Sequence, residues 1–367
     1  MPIRGNYQLA REGVTGDTII RLFQNTVLNP VLTIPLLLAA RYTDKGKVLS
    51  AEHAQALKYL KTALYLGIAS KVNGILDDYV INNAQNDVYD WSPGGKELVI
   101  VTGGSDGIGK IVVQLLAERG IRVAVMDVQP LTFEAPANVQ YFKTDLASSS
   151  SIASAADAIR SQLGNPTVLI SNAGTARGKS ILESKESDIR LTFNVNTIAH
   201  YFLAQQFLPY MIEKNHGMVV TVASFAAYLG APRMVDYASS KAAALNFHEG
   251  LTAELATIYK APKVRTVVMC QSYTRTKLFE GFDSNALYPE TVAEEIVKAV
   301  LEGRSKHILM PQTGWLLIPR IRSLPLWMQY GLRKRLVNLM AKWNGRQVDQ
   351  PSLQKLEESA VLVEKNE

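Results

Sequence analysis

The chain has 367 residues, of which 47% are hydrophobic and 20% are charged, and its formal net charge is +6. This balance excludes a mostly disordered chain, and the length favours one α/β domain with extensions. The single cysteine, Cys270, excludes an internal disulfide bond. The five histidines lack the spacing that is typical of metal ligands, so we expect no metal centre.

Residues 1–96 are predicted to form a helical, apolar N-terminal extension. Within it, residues 26–40 are fifteen residues without a charge, fewer than the roughly 20 that a membrane-spanning helix needs. Two interpretations remain open, because such a run can enter one face of a membrane or pack internally as a helical hairpin. Residues 54–68 are predicted to form a further helix that packs on the main domain.

Residues 97–311 contain short apolar runs that alternate with helical patterns, which is typical of a parallel sheet covered by helices. The predicted strands are residues 97–101, 123–126, 139–142, 167–171, 218–222, 264–269 and 307–309. The pattern predicts a Rossmann-type, doubly wound, seven-stranded parallel sheet with helical N-terminal and C-terminal extensions. Right-handed crossovers bring the loops that follow the strands to one edge, where ligands bind.

A glycine-rich segment at residues 102–109 follows the first predicted strand and opens a helix. Gly103 permits the turn, Gly107 lets the main chain approach a diphosphate, and Gly109 allows close packing of helix and strand. The alternative is a glycine-rich turn that binds nothing. The dinucleotide hypothesis assigns cofactor contacts to Thr102, Gly103, Ser105, Gly107, Ile108 and Gly109.

Asp127 ends the second predicted strand, eighteen residues after Gly109, where a carboxylate can accept hydrogen bonds from both ribose hydroxyls. A 2′-phosphate there would meet a like charge. Asp106 adds a second acidic residue with no compensating Arg or Lys in the loop, so NAD is expected and NADP is disfavoured. The alternative is that Asp127 is an ordinary turn residue at the end of a strand.

Tyr237 and Lys241 are four residues apart at the start of a helical pattern, so both side chains lie on one face. A lysine ammonium and a nicotinamide positive charge favour the phenolate and bring the tyrosine pKa nearer to working pH. Ser224 ends the fifth predicted strand, where its hydroxyl can polarise a substrate carbonyl or alcohol. These three side chains are the candidate acid-base machinery.

Over residues 97–311 the chain resembles the classical short-chain dehydrogenase/reductase family. The resemblance rests on motifs in a fixed order, namely the glycine-rich segment, Asp145-Leu146, Asn172-Ala173-Gly174, Asn196, Ser224, and Tyr237 with Lys241. It implies that Tyr237 exchanges the substrate proton, while Lys241 also holds the nicotinamide ribose. Asn196 is implied to position a proton-relay water, whereas its neighbour Asn194 is interpreted as structural.

Further cofactor contacts follow from the same resemblance. Asp145 is implied to contact the adenine, with Leu146 beside it, and Asn172 to brace the sheet beside Ala173 and Gly174. One motif departs from the family, because Gln271 and Ser272 replace the usual Pro-Gly pair, although Thr276 is retained. Residues 211–217, 219–227 and 276–282 resemble the membrane-associated retinol and 17-beta-hydroxysteroid dehydrogenase branch, which implies a lipophilic alcohol or ketone as substrate.

Residues 312–348 are predicted to be a basic, apolar, membrane-proximal segment. Between residues 303 and 348 there are nine Lys or Arg residues and no Asp or Glu. Their interleaving with Trp, Leu and Ile suits the headgroup region of an anionic bilayer, whereas no nucleic-acid-binding module is recognisable. Residues 349–367 form a polar tail, interpreted as mobile or as a lone helix.

The sequence as a whole predicts an oxidoreductase that transfers a hydride between NAD(H) and a lipophilic alcohol or ketone. One alternative is an NADPH-dependent membrane reductase of 3-keto lipids of the sphingoid type. Another is a weakly active protein of lipid surfaces that keeps the fold. The expected location is the membrane of the endoplasmic reticulum or a lipid-droplet surface, with the catalytic domain in the cytosol. Homodimer formation remains open, and no nucleic-acid partner is expected.

Overall fold

The structure is a computed structural model that describes residues 3–5, 8–281, 286–340, 343–348 and 351. Its chain divides into two units, one of residues 7–84 and one that joins residues 1–6 to residues 85–367. The mobile or helical tail expected over residues 349–367 lies outside the described residues, apart from Pro351. The division into four segments that the sequence suggests stays a prediction.

The unit of residues 7–84 is a set of helices. They are α1 (Gly16–Asn25), α2 (Pro30–Tyr42), α3 (Asp44–Glu52) and α4 (Ala54–Ile81). Helix α2 begins where the Asn29 side chain accepts a hydrogen bond from the amide of Val31 and Pro30 occupies the first turn. Helix α4 continues to Ile81, well beyond the predicted end at residue 68, because no proline interrupts the chain between these positions.

The apolar side chains of α2 are largely exposed. Among the described residues no single helix has the length and apolar character to cross a bilayer, but α1 and α2 together, bent by 48°, satisfy both criteria by length and composition. Val31 is 69% exposed and Leu36 is 57% exposed. Insertion into one face of a membrane and internal packing as a hairpin both stay predictions.

The second unit is built on a seven-stranded, all-parallel sheet with the order β3-β2-β1-β4-β5-β6-β7. Its strands are β1 (Leu98–Thr102), β2 (Arg122–Asp127), β3 (Val139–Lys143), β4 (Val168–Ser171), β5 (Met218–Val222), β6 (Arg265–Gln271) and β7 (Lys306–Met310). Each lies within two residues of its predicted bounds. The predicted Rossmann-type fold is confirmed.

Helices cover both faces of this sheet, which is why strands such as β1 are buried along their whole length. The helices are α5 (Gly107–Ala117), α6 (Ser149–Leu163), α7 (Glu186–Phe193), α8 (Ala199–Lys214), α9 (Val235–Thr257), α10 (Pro289–Glu302) and α11 (Leu326–Arg335). One apolar cluster joins α5 and α10 to one face, and another joins α6, α8 and α9 to the opposite face.

Residues 85–96 pack on the sheet unit before its first strand begins. The ring of Tyr89 stacks on Trp91 with 5.3 Å between centroids. The Tyr89 hydroxyl donates to the carbonyl of Gly217 at 2.7 Å, and the Trp91 indole donates to the carbonyl of Leu301 at 3.1 Å. These contacts tie the segment to the loop before β5 and to the end of α10.

A half-buried histidine lies between two carboxylates beside this segment. His216 Nδ1 is 2.7 Å from Asp87 Oδ2, and His216 Nε2 is 3.4 Å from Glu97 Oε2. The hydrogen bond to Glu97, together with the charges of Asp87 and Glu97, raises the pKa of His216 against the opposing effect of burial. The imidazolium therefore links residues 85–97 to the end of α8.

We expect His216→Asn to destabilise the protein more at acid pH than at alkaline pH. A histidine whose folded-state pKa is raised contributes stability that is present below its unfolded pKa and lost as pH rises through the folded value. The expected loss at about pH 6 is about 2 kcal/mol, typical of hydrogen bonds to charged groups. Chemical denaturation of both proteins across this pH range measures it, and an equal loss at every pH contradicts the prediction.

Candidate active site

A cleft of about 330 Å³ lies at the carboxyl ends of the strands. It follows the loops after strands β1 to β6, and Leu336, Leu339, Arg346 and Val348 of the C-terminal segment contribute to one wall. Many of the predicted site residues line it, namely Gly103, Gly107, Ile108, Asp127, Leu146, Asn172, Ala173, Gly174, Ser224, Tyr237, Lys241 and Thr276. The structure therefore brings most of the candidate residues together in one place.

The glycine-rich loop has the backbone geometry that a dinucleotide requires. Gly103 and Gly107 have positive φ angles of 65° and 59°, which favour glycine. A Cβ on Gly109 would lie 2.1 Å from the carbonyl oxygen of Gly103, so only glycine lets α5 pack this closely on the turn. The amino end of α5 lines the cleft through Gly107 and Ile108 and suits a diphosphate.

Polar contacts fasten the ends of β1 and β4 to each other. The Asn172 side chain donates to the carbonyls of Thr102 and Gly103 at 3.0 and 3.1 Å. The Thr102 hydroxyl accepts the amides of Asn172 and Ala173 at 3.0 and 3.1 Å. Thr102 is thus behind the cleft wall, and Asn172 forms the brace that the resemblance implies for it.

Asp127 anchors the loop that follows β2. Its Oδ2 accepts the amide of Ser105 at 3.0 Å, and its Oδ1 accepts the amide of Gln129 at 3.0 Å. The Ser105 hydroxyl in turn donates to the carbonyl of Gln129 at 2.8 Å. Each carboxylate oxygen retains a further lone pair, so the same group can still accept ribose hydroxyls.

The glycine-rich loop itself holds no Arg or Lys to compensate Asp106, but two cations from outside the loop do so. Lys277 Nζ lies 2.8 Å from Asp106 Oδ2, and Arg346 Nη1 lies 3.3 Å from the same oxygen. Both cations come from distant parts of the chain, which a motif confined to residues 102–109 cannot reveal. Hydrogen bonds from Lys277 and the Gly107 amide lower the pKa of Asp106 against its partial burial.

Tyr237, Lys241 and Ser224 converge below the apolar part of the cleft. Tyr237 and Lys241 are each 3% exposed, and Ser224 is 9% exposed. Lys241 Nζ donates to the carbonyl of Val222 at 2.7 Å and lies 5.9 Å from the centroid of the Tyr237 ring. The spacing of four residues along α9 therefore places both groups on one side, as predicted from the sequence.

Burial is the largest cause of the pKa shifts of Tyr237 and Lys241. It raises the pKa of Tyr237 to about 12, although a hydrogen bond with Ser224 lowers it. Burial also lowers the pKa of the Lys241 ammonium to about 8. Both shifts follow from the cost of a charge away from water, so a cationic group in the cleft is needed to make the phenol more acidic.

Asn196 sits in a five-residue π-helical turn, Asn194–Ile198, between α7 and α8. Its Oδ1 accepts the amide of Thr175 at 2.8 Å, and its Nδ2 donates to the Thr175 carbonyl and to the Ser240 hydroxyl. These bonds hold α9 against the loop after β4. A water positioned by Asn196 stays a prediction, with one lone pair of Oδ1 still available to it.

Asp145 lies at the end of β3, but its carboxylate turns toward its own loop. Its Oδ1 accepts the amide of Ala147 at 2.9 Å, while its neighbours Thr144 and Leu146 line the cleft. Thr276 also lines the cleft, close to Gly107. Contact of Asp145 with an adenine stays a prediction.

The cleft holds one buried polar atom that suits a nicotinamide cofactor. Gln271 is 9% exposed and lines the cleft, and its Oε1 has no hydrogen-bond partner among the described residues. Together with the glycine cradle at the end of α5, this atom shows that the residues present fit a dinucleotide.

Apolar side chains form one wall of the cleft, and the Tyr237 ring packs against this wall, with 5.5 Å between its centroid and that of Phe279. The apolar side chains are Leu229, Met234, Leu278, Phe279, Leu336 and Leu339. These residues were not predicted from the sequence, because loops and short helices far apart in the chain supply them. The spacing of three residues between Leu336 and Leu339 was the one feature of the sequence that could have indicated an apolar face in the basic C-terminal segment.

Comparison with known proteins agrees with this geometry. The family described as short chain dehydrogenase matches residues 97–286. Dehydrogenase RED2 of Cochliobolus heterostrophus is 41% identical over 211 residues, which are 57% of this chain and 78% of that protein. Human estradiol 17-beta-dehydrogenase 11 is 31% identical over 240 residues, which are 62% of this chain and 79% of that protein.

A solved structure shows the same fold. The short chain dehydrogenase of Burkholderia cenocepacia, crystallised with NADP, has a TM-score of 0.57 at 24% identity, with 68% of this chain and 99% of that chain covered. The relatives confirm the predicted likeness to the 17-beta-hydroxysteroid dehydrogenase branch. This chain therefore belongs to the classical short-chain dehydrogenase/reductase family and is an NAD(P)-dependent oxidoreductase.

Proposed function

We propose that the protein transfers a hydride between NAD(H) and a lipophilic alcohol or ketone, with Tyr237 as the general acid and base. The observation that carries this proposal is the composition of the cleft. Ser224 and Tyr237 line the cleft together with the apolar wall that includes Met234, Phe279 and Leu336, and the Tyr237 ring packs against that wall. Such a cleft favours a substrate with one polar reacting group on an apolar body.

A nicotinamide cofactor held by the glycine-rich loop and Asp127 would accept or supply the hydride. Tyr237 takes the proton from the substrate hydroxyl during oxidation and returns it to the carbonyl oxygen during reduction. Ser224 donates a hydrogen bond to the same substrate oxygen and stabilises the charge that develops there. The Lys241 ammonium lies on the Tyr237 side of the cleft and favours the phenolate by its charge.

The names of the relatives support a steroid-like or lipid-like substrate. Estradiol 17-beta-dehydrogenase 11 and 17-beta-hydroxysteroid dehydrogenase 13 of Homo sapiens are both named for steroid substrates. The apolar wall is compatible with a fused-ring or long-chain alcohol.

The preference for NAD rests on Asp127. Its carboxylate is held at the end of β2 by the amides of Ser105 and Gln129, so it cannot turn away from an incoming 2′-phosphate without losing both bonds. Asp106 contributes less to this preference for NAD than the sequence suggested, because Lys277 and Arg346 compensate its charge. The alternative, an NADPH-dependent reductase of 3-keto lipids, requires the opposite preference.

Association with a lipid surface is the second part of the proposal. In the C-terminal segment, Leu316, Leu326 and Trp327 are 70%, 69% and 77% exposed. Basic residues 333–335 follow them on α11. Exposed apolar side chains beside clustered cations are typical of helices that lie in the headgroup region of a membrane. The apolar helices α1 and α2 support the same location, at the endoplasmic reticulum or a lipid droplet.

We expect Tyr237→Phe to lower turnover by roughly 10²-fold to 10⁴-fold, because the ring still packs but the transferable proton is gone. NAD binding should stay close to that of the unmodified protein. Tyr228→Phe is the matched control, since Tyr228 is half-buried outside the lining of the cleft, where its hydroxyl forms a hydrogen bond with His307 Nε2 at 2.9 Å. NADH formation with a panel of lipophilic alcohols measures both. Full activity of Tyr237→Phe contradicts the mechanism.

We expect Asp127→Asn to shift the kcat/KM ratio toward NADP by about tenfold, because a like charge no longer opposes the 2′-phosphate; this corresponds to about 1.4 kcal/mol. Asp157→Asn is the control, since it removes an equal charge from the exposed face of α6. Steady-state kinetics with both cofactors decide the matter. If the unmodified protein already prefers NADPH, the NAD proposal falls and the 3-keto lipid reductase gains support.

We expect the full-length protein to float with anionic liposomes and to resist release by high salt, because salt screens charges but leaves apolar contacts in place. Leu326→Ser combined with Trp327→Ser should weaken flotation. Leu182→Ser is the control, since Leu182 is 97% exposed outside both apolar segments. If the unmodified protein stays at the bottom of the gradient with anionic and neutral vesicles alike, the lipid-surface proposal is wrong.

A further inference from the structure

Gln271 occupies the position where this chain departs from its family. It is the last residue of β6 and pairs in register with Met310 of β7. The amide of the next residue, Ser272, donates to the Met310 carbonyl at 2.8 Å, so the ladder extends beyond the strand end. Main-chain hydrogen bonds thus hold the turn that a Pro-Gly pair would otherwise stiffen.

The side chain of Gln271 carries an unused acceptor. It is 9% exposed, lines the cleft, and its Oε1 has no hydrogen-bond partner in the part of the chain that the structure describes. Leaving a buried amide oxygen without a donor is costly, so such an acceptor calls for a partner, which can be a ligand or an ordered water. Because Gln271 lines the cleft, a molecule bound there can supply the N–H or O–H donor.

The alternation of side chains along β6 indicates which molecule supplies that donor. Val267 and Met269 pack in the cluster with α5 and α10, and Gln271 follows in the same alternation. Cys270 points to the other face. Tyr237 comes from α9, which packs on that other face, so the reacting oxygen of the substrate belongs there. Gln271 lies instead on the side of the glycine-rich loop, where the cofactor extends.

We propose that Gln271 Oε1 accepts a hydrogen bond from the carboxamide N–H of the nicotinamide ring and so fixes the rotation of that ring in the cleft. Gln271 is a positioning residue for the hydride transfer rather than an acid or base. The inference rests on the proposed function, because it requires a nicotinamide in this cleft. It assigns a contact that a proline at position 271 cannot make, since proline has no side-chain acceptor.

The test compares ligands that differ in this one donor. NAD⁺ has the carboxamide N–H groups, 3-acetylpyridine adenine dinucleotide has a methyl ketone in their place, and ADP-ribose lacks the ring. Gln271→Met should weaken NAD⁺ binding by about threefold to tenfold, as expected for one hydrogen bond, measured as Kd by fluorescence or calorimetry. Binding of the acetylpyridine analogue and of ADP-ribose should stay unchanged.

Gln329→Met is the matched control. Gln329 is 8% exposed but donates to the carbonyls of Arg322 and Leu324, away from the cleft lining. Its replacement should lower the melting temperature and leave all three Kd values unchanged. Gln271→Leu serves as a second variant if Gln271→Met fails to fold, and ADP-ribose binding reports an intact nucleotide site in either one.

Three results would overturn the inference. The first is an unchanged Kd for NAD⁺ in the variants. The second is an equal loss of affinity for NAD⁺ and for the acetylpyridine analogue. The third is loss of ADP-ribose binding in both variants, because that result would mean that Gln271 only stabilises the fold. A different result addresses the proposed function itself. If the unmodified protein binds neither NAD⁺ nor ADP-ribose, the proposal of an NAD cofactor is wrong. If the unmodified protein binds both ligands and the variants have the same Kd for NAD⁺, only the role of Gln271 is refuted.

Discussion

The site depends on the hydrogen bonds between the Asn172 side chain and the carbonyls of Thr102 and Gly103. They join the ends of β1 and β4, the two strands between which the winding of a doubly wound sheet reverses direction. The loops after these strands diverge there and open the cleft. Without this brace, the glycine-rich loop and the loop that carries Gly174 would lose their fixed separation.

Ionisable side chains have different surroundings in the two halves of the cleft. In the nucleotide half, each acidic group has partners, as Asp127 bonds main-chain amides and Asp106 is paired with two cations. In the catalytic half, Tyr237 and Lys241 are buried, and both have pKa values shifted toward their neutral forms. The catalytic pair is therefore sensitive to any charge that a ligand brings, which suits a centre whose proton affinity changes on binding.

Local patterns in the sequence predicted the sheet and the grouping of Tyr237 with Lys241, because a buried parallel strand and a helical pair four residues apart are both recognisable over short windows. The partners of Asp106 and the apolar wall were not predictable, since Lys277, Arg346 and Leu336 reach the cleft only after the chain has folded. Helix α4 was predicted too short, because the apolar pattern was followed only to residue 68. No proline ends the helix between that residue and Ile81. Several strand ends differ by one or two residues from the prediction, because the ends of an element depend on hydrogen bonds that the hydrophobic pattern does not specify.

Gly178 and Trp343 illustrate how the C-terminal segment has become part of the enzyme unit. Gly178 has a φ of 64°, and a Cβ on it would lie 2.2 Å from the ring of Trp343. The Trp343 indole donates to the carbonyl of Leu278 at 2.9 Å, in the loop that lines the cleft. A larger residue at 178 therefore excludes the indole, and a smaller one at 343 leaves a void above the glycine. The two positions, far apart in the chain, should vary together in evolution.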